Sequence, residues 1–77
     1  MDDKAKAREA RIQFGRKLVL ERAYRVMSLE QLAERTGIST SVLSAIEEGT
    51  TDFPIDYMLL IFDALDIDGK DFFTDFK

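Results

Sequence analysis

A chain of 77 residues, 34% of them charged, suits one small domain. It contains no cysteine and no histidine, which excludes disulfide staples, the usual zinc ligand sets and nucleophiles built on Cys–His or Ser–His pairs. The net charge is −4 but lopsided: residues 1–35 hold nine basic and six acidic side chains, residues 36–77 two and nine, so a basic footprint for nucleic acid could come only from the N-terminal segment.

Lys4 to about Tyr24 reads as one long first helix, because Ala, Arg, Lys, Leu and Glu are strong helix formers. Asp2 or Asp3 can cap its positive end. Its apolar positions form two neighbouring stripes, Phe14–Leu18 and Val19–Ala23 with Leu20–Tyr24. The first turns have only alanines to bury, so 1–11 reads as an N-terminal arm or helix extension and 12–77 as the domain itself. Gly15 inside the helix costs about 1 kcal/mol relative to Ala; close packing against a neighbour would explain it. Arg25, Val26 and Met27 follow. A tight helix end favours Gly or Asn, and a β-branched residue resists positive φ. A different turn is therefore expected at Val26, with Met27 as a core plug.

The stretch from Ser28 to Gly49 is the most informative. Ser28 is a good N-cap, and Gln31 completes a capping-box pattern. Leu29, Leu32 and Ala33 recur at helical spacing. Gly37 suits a left-handed helix end, and Ile38 can plug the corner. Ser39 is a second N-cap. Val42, Leu43 and Ile46 form the next apolar stripe, and Gly49 stops that helix. Helix, short Gly-containing turn, helix is the sequence form of a helix-turn-helix unit. Two helices this short cannot bury their apolar faces alone, so the rest of the chain should cover them.

Thr50 to Pro54 reads as a polar loop with Phe53 anchored to the core, and Pro54 fits the start of a helix. Residues 56–65 give a fourth helix, with Leu59, Leu60, Phe62 and Leu65 apolar and Asp63 on the wet face. Asp68 caps a short fifth helix whose apolar face is Phe72, Phe73 and Phe76. Asp66, Asp68, Gly69 and Asp75 fall at calcium-loop spacings, but Ala64 stands at the first ligand position and Asp71 at the usual apolar one. Capping explains Asp68 and Asp71 without a metal, so neither metal nor cofactor is expected. The longest purely apolar run, residues 58–62, is too short to span a membrane, and the start MDDKAKA has no apolar core of a signal peptide. The expectation is an all-α, five-helix, single-domain protein of the cytoplasm, away from membranes.

Five stretches carry a family resemblance: FGRKL (14–18), SLEQLAERTGIS (28–39), VLSAIEEG (42–49), FPIDYMLL (53–60) and LDIDGKDFF (65–73). In this order they resemble the phage repressor and Cro type of helix-turn-helix domain, the Xre family, over roughly residues 12–74. The resemblance implies a lambda-repressor-like fold and a transcriptional regulator that binds double-stranded DNA without catalysis. It implies a homodimer, formed through the C-terminal helix. The third helix, Ser39 to Glu48, would enter the major groove while the second crosses the backbone. Specific contacts would come from Thr40, Ser41 and Ser44, with backbone contacts from Ser39, Arg16, Lys17 and Arg25. The family also implies a structural ion pair between Arg22 and Glu47.

Departures from the family cluster on the positions that would face DNA. Leu29 stands where the family often has Gln. The outer face of the third helix offers Thr40, Ser41, Ser44 and Ala45 in place of Gln, Arg or Lys. Ser and Thr lack the bidentate geometry of Arg on guanine or Gln on adenine, worth ~1–3 kcal/mol per pair. Glu48 and Asp52 would repel a phosphate. Arg16, Lys17, Arg22 and Arg25 could compensate, with Lys4, Lys6, Arg8 and Arg11 as an arm, although a solvated charged face is the plainer reading of that arm. A rival function follows from the acidic positions: a helix-turn-helix fold that has lost its DNA face and binds a protein partner, as an antitoxin-like or adaptor module. No set of nucleophile, base and orienter supports an enzyme.

Overall fold

The computed structural model describes residues 3–72, which form α1 (Asp3–Tyr24), α2 (Leu29–Thr36), α3 (Thr40–Glu48), α4 (Ile55–Leu65) and α5 (Gly69–Phe72). Among the described residues there is no strand. Phe73, Phe76 and Asp75 lie outside the described residues.

Local chemistry accounts for most helix ends. At the start of α2, the Gln31 backbone N–H donates to Ser28 Oγ at 3.0 Å, and Ser28 N–H donates to Gln31 Oε1 at 2.8 Å. This is a complete capping box. Ser39 caps α3 by accepting from Val42 N–H at 3.2 Å. Gly37 and Gly49 end α2 and α3 at φ 78° and 75°. Gly49 is required twice over, because a side chain there would also meet Ile12 Cα of α1 at 2.8 Å. Asp68 Oδ1 accepts from Lys70 N–H at 3.0 Å as α5 begins.

The core draws on every helix. Phe14 and Leu18 of α1, Leu32 of α2, Leu43 and Ile46 of α3, Ile61, Phe62 and Leu65 of α4 and Phe72 of α5 are buried, with Met27 and Ile38 closing the corners. Each fully buried side chain of this size stabilises the fold by about 1.5–3 kcal/mol. The Phe14 ring lies 5.0 Å from Phe53 and 5.3 Å from Phe72, and Phe62 lies 4.9 Å from Phe72. These tilted pairs tie the α3–α4 loop and α5 to α1. Phe53 is thus the loop's anchor to the core.

Several apolar positions depart from the sequence-based expectation. In α4 the buried row is Ile61, Phe62 and Leu65, while Leu59 and Leu60 are exposed together with Ile55. In α1 the second stripe does not reach the core: Leu20 and Tyr24 stand in solvent. Val42 of α3 is 37% exposed, whereas Leu43 and Ile46 are fully buried. Helices with two apolar sides give an ambiguous stripe, and the packing chooses one of them.

Val26 is the sharpest departure. It adopts φ 52° despite its β-branch. Met27 N–H donates to Arg22 O at 2.9 Å and Val26 N–H to Ala23 O at 3.0 Å, the two bonds of a Schellman helix end with Val26 in the left-handed position. The side chain is 89% exposed, so no packing offsets the strain. Val26→Gly should therefore stabilise the fold by about 1 kcal/mol and raise Tm by about 5 °C. Thermal unfolding by circular dichroism checks this; an unchanged or lower Tm contradicts it.

Candidate nucleic-acid interface

The position of α3 is set from α1. Gly15 lets the two backbones meet: a methyl group at this position would stand 2.6 Å from Ile46 O and closer still to Glu47 O. About two turns further along α1, Arg22 Nε donates to Glu47 Oε2 at 2.6 Å and Arg22 Nη2 to Glu47 Oε1 at 3.0 Å. Arg22 Nη1 also donates to Met27 O at 2.8 Å, so one guanidinium ties α1, α3 and the α1–α2 turn. The hydrogen bond to Glu47 raises the pKa of Arg22 above its ordinary value, against the lowering effect of burial. Both side chains are largely shielded, at 17% and 10% exposure.

The turn between α2 and α3 is fixed by a residue that the sequence reading did not single out. Thr36 is buried; its Oγ1 donates to Leu32 O at 2.8 Å and accepts from Ile38 N–H at 3.1 Å. The available signal was a threonine directly before a helix-ending glycine, where a short hydroxyl can bridge the turn. Leu29 packs against the core, which gives this apolar side chain a structural role at the start of α2.

The candidate contact residues divide by face. Ser39 and Ser41 are exposed. Thr40 and Ser44 are half-buried and share a helical row with Glu47, on the flank of α3 nearest α1. The outward row holds the exposed Ser41 and Glu48 with the half-buried Ala45 between them, and Val42 stands beside it. Glu48 is exposed and forms no ion pair among the described residues. Asp52 is held by Arg11, whose Nη1 lies 3.1 Å from Asp52 Oδ1, so its charge is partly offset.

The basic residues of α1 do not form one patch. Arg16 is exposed and stands with Val19 and Leu20 beside Glu47. Lys17 lies over the Phe72 ring, 5.3 Å from its centre, on the α5 side. Arg25 pairs with Glu21 at 2.6 Å and shares a shallow cleft with Asp66, Asp68 and Asp71. Arg22 is committed to Glu47. Among the described residues no group of three or more acidic side chains has the arrangement of a metal site, and no helix is long and apolar enough to cross a membrane.

The solved structure of the restriction-modification controller protein C.AhdI from Aeromonas hydrophila is similar to this chain, with a TM-score of 0.80 and 28% identity over 84% of this chain and 98% of that one. No protein of curated function matches the chain significantly. The helix-turn-helix family profile matches residues 22–72, from the Arg22 clamp through α2, α3 and α4 to Phe72. This fold and profile are those of regulators rather than enzymes. The chain belongs to the helix-turn-helix family, in its Xre type, which comprises DNA-binding transcription regulators.

Proposed function

We propose that this protein binds duplex DNA sequence-specifically in the cytoplasm, with α3 in the major groove and α2 across the phosphate backbone. The observation that supports this most is the two-sidedness of α3. Leu43 and Ile46 are fully buried and Glu47 is clamped to α1, while Ser41, Val42 and Glu48 are exposed on the other side. A helix held rigidly by one face and open on the other can be inserted into a groove. Ser41, with Thr40 and Ser44 at its flank, serves base contacts. Ser39 and Arg16, the basic residue beside Glu47 of α3, serve the backbone, whereas Lys17 and Arg25 lie toward α5 and the Asp66–Asp71 cleft. Residues 12–77 act as the domain, and 1–11 as an N-terminal arm or helix extension.

Recognition by such helices is commonly two-fold, with half-sites about one helical turn apart. A homodimer supplies that symmetry. Its contact surface would include Ile55, Leu59 and Leu60, the exposed apolar side chains of α4, continuing into the C-terminal helix. Leu59→Glu should shift the sedimenting species from a dimer towards the 8.8 kDa monomer. An unchanged dimer would place the interface elsewhere.

Selection from a random duplex library tests the DNA reading, with enrichment of a short palindrome expected. The exposed, unpaired Glu48 favours a second reading, a protein-binding module with a degenerate acidic face. No enrichment at low salt, with wild type and Glu48→Lys alike, would support that module instead. If DNA is the ligand, Glu48→Lys should raise non-specific duplex affinity about tenfold and steepen the salt dependence by about one counterion.

A further inference from the structure

We propose that α3 reads the 5-methyl groups of thymine in the major groove, through the adjacent side chains of Val42 and Ala45. This rests on the DNA-binding reading above and says what that helix recognises. The major groove distinguishes bases by donors, acceptors and the thymine methyl. From Thr40 to Glu48, α3 contains no Arg, Lys, Gln or Asn, so it has no bidentate partner for guanine or adenine. Beside the exposed Ser41 it presents an apolar pair, Val42 and the half-buried Ala45. Val42 is 37% exposed on a helix whose other large aliphatic side chains are fully buried. Ala45 lies one turn away at i+3, where two side chains are neighbours on the helix surface.

The small residues around them give this pair its reach. Ser41 and Ser44 keep the surface of α3 low around the pair, with Glu48 standing only at its C-terminal end. The helix can therefore approach the groove floor closely enough for a short β-branched side chain to touch a methyl group. Burying a thymine methyl against Val42 removes apolar area from both partners. At about 0.8 kcal/mol per buried carbon, that is roughly fourfold in affinity per methyl. Discrimination built from such contacts is modest per base and accumulates over two half-sites.

The test uses the full chain and a duplex site selected from a random library. Thymines of each half-site are replaced one at a time by uracil, which removes only the 5-methyl group. The expected result is a fall in affinity of about fourfold at one or two thymines per half-site, with no change at flanking thymines. Val42→Ala should bind the thymine site more weakly and lose most of the thymine-over-uracil ratio; this exposed position leaves the fold intact, which circular dichroism verifies. A selected site that binds equally well with uracil throughout overturns this proposal and leaves the DNA-binding reading standing. Failure to select any site overturns both.

Discussion

Arg22→Met is expected to destabilise the protein by about 3 kcal/mol, the range seen when one partner of a largely buried pair is removed. The reason is what remains. Glu47 is only 10% exposed, and without the guanidinium its carboxylate loses both donors. Met27 O also loses the bond from Arg22 Nη1. Attraction between the charges is a weaker argument, since desolvation offsets much of it. The double variant Arg22→Met with Glu47→Leu should therefore recover much of the loss. Urea unfolding of the two singles and the double gives the cycle. A single-variant loss below about 1 kcal/mol would show that the clamp does not hold α1 on α3.

Gly15→Ala is expected to lower stability by about 2 kcal/mol, although alanine is the better helix former by about 1 kcal/mol. The clash is with the Ile46 and Glu47 carbonyls, backbone atoms that cannot rotate away as a side-chain tip can. The two helices must separate or tilt. Tm should fall by about 10 °C, and because α3 carries the proposed DNA contacts, duplex affinity should fall even below the transition. A neutral or stabilising Gly15→Ala would mean that α1 and α3 are not in backbone contact.

Much of this architecture is legible in the sequence because it is encoded locally. Ser28 with Gln31, Ser39, Gly37 and Gly49 mark helix ends through capping and positive φ, and the structure uses all five that way. Gly15, read as a point of close packing, meets the α3 backbone. Less legible was what depends on long-range packing. The choice of Ile61 over Leu59 and Leu60, and the exposure of Leu20, Tyr24 and Val42, are decided by which face of a helix meets a neighbour. Val26 shows the limit of propensity. Its turn is imposed by the tertiary placement of Arg22 and Met27, and the β-branch carries its strain with no packing to offset it. In the candidate interface, the scatter of Arg16, Lys17 and Arg25 over different sides of α1 follows from the 100° step between successive helical residues, which a count of basic residues ignores.

The most direct measurement is the affinity of the purified protein for its selected duplex, titrated from about 50 to 200 mM salt. A protein that neutralises several phosphates releases their counterions, so log affinity should fall linearly with log salt, at a slope of about −0.9 per phosphate. The predicted result is a specific complex with a slope of at least −3, made steeper in Glu48→Lys. No binding at the lowest salt, by wild type or by that variant, would contradict the claim that α3 presents a DNA-reading face.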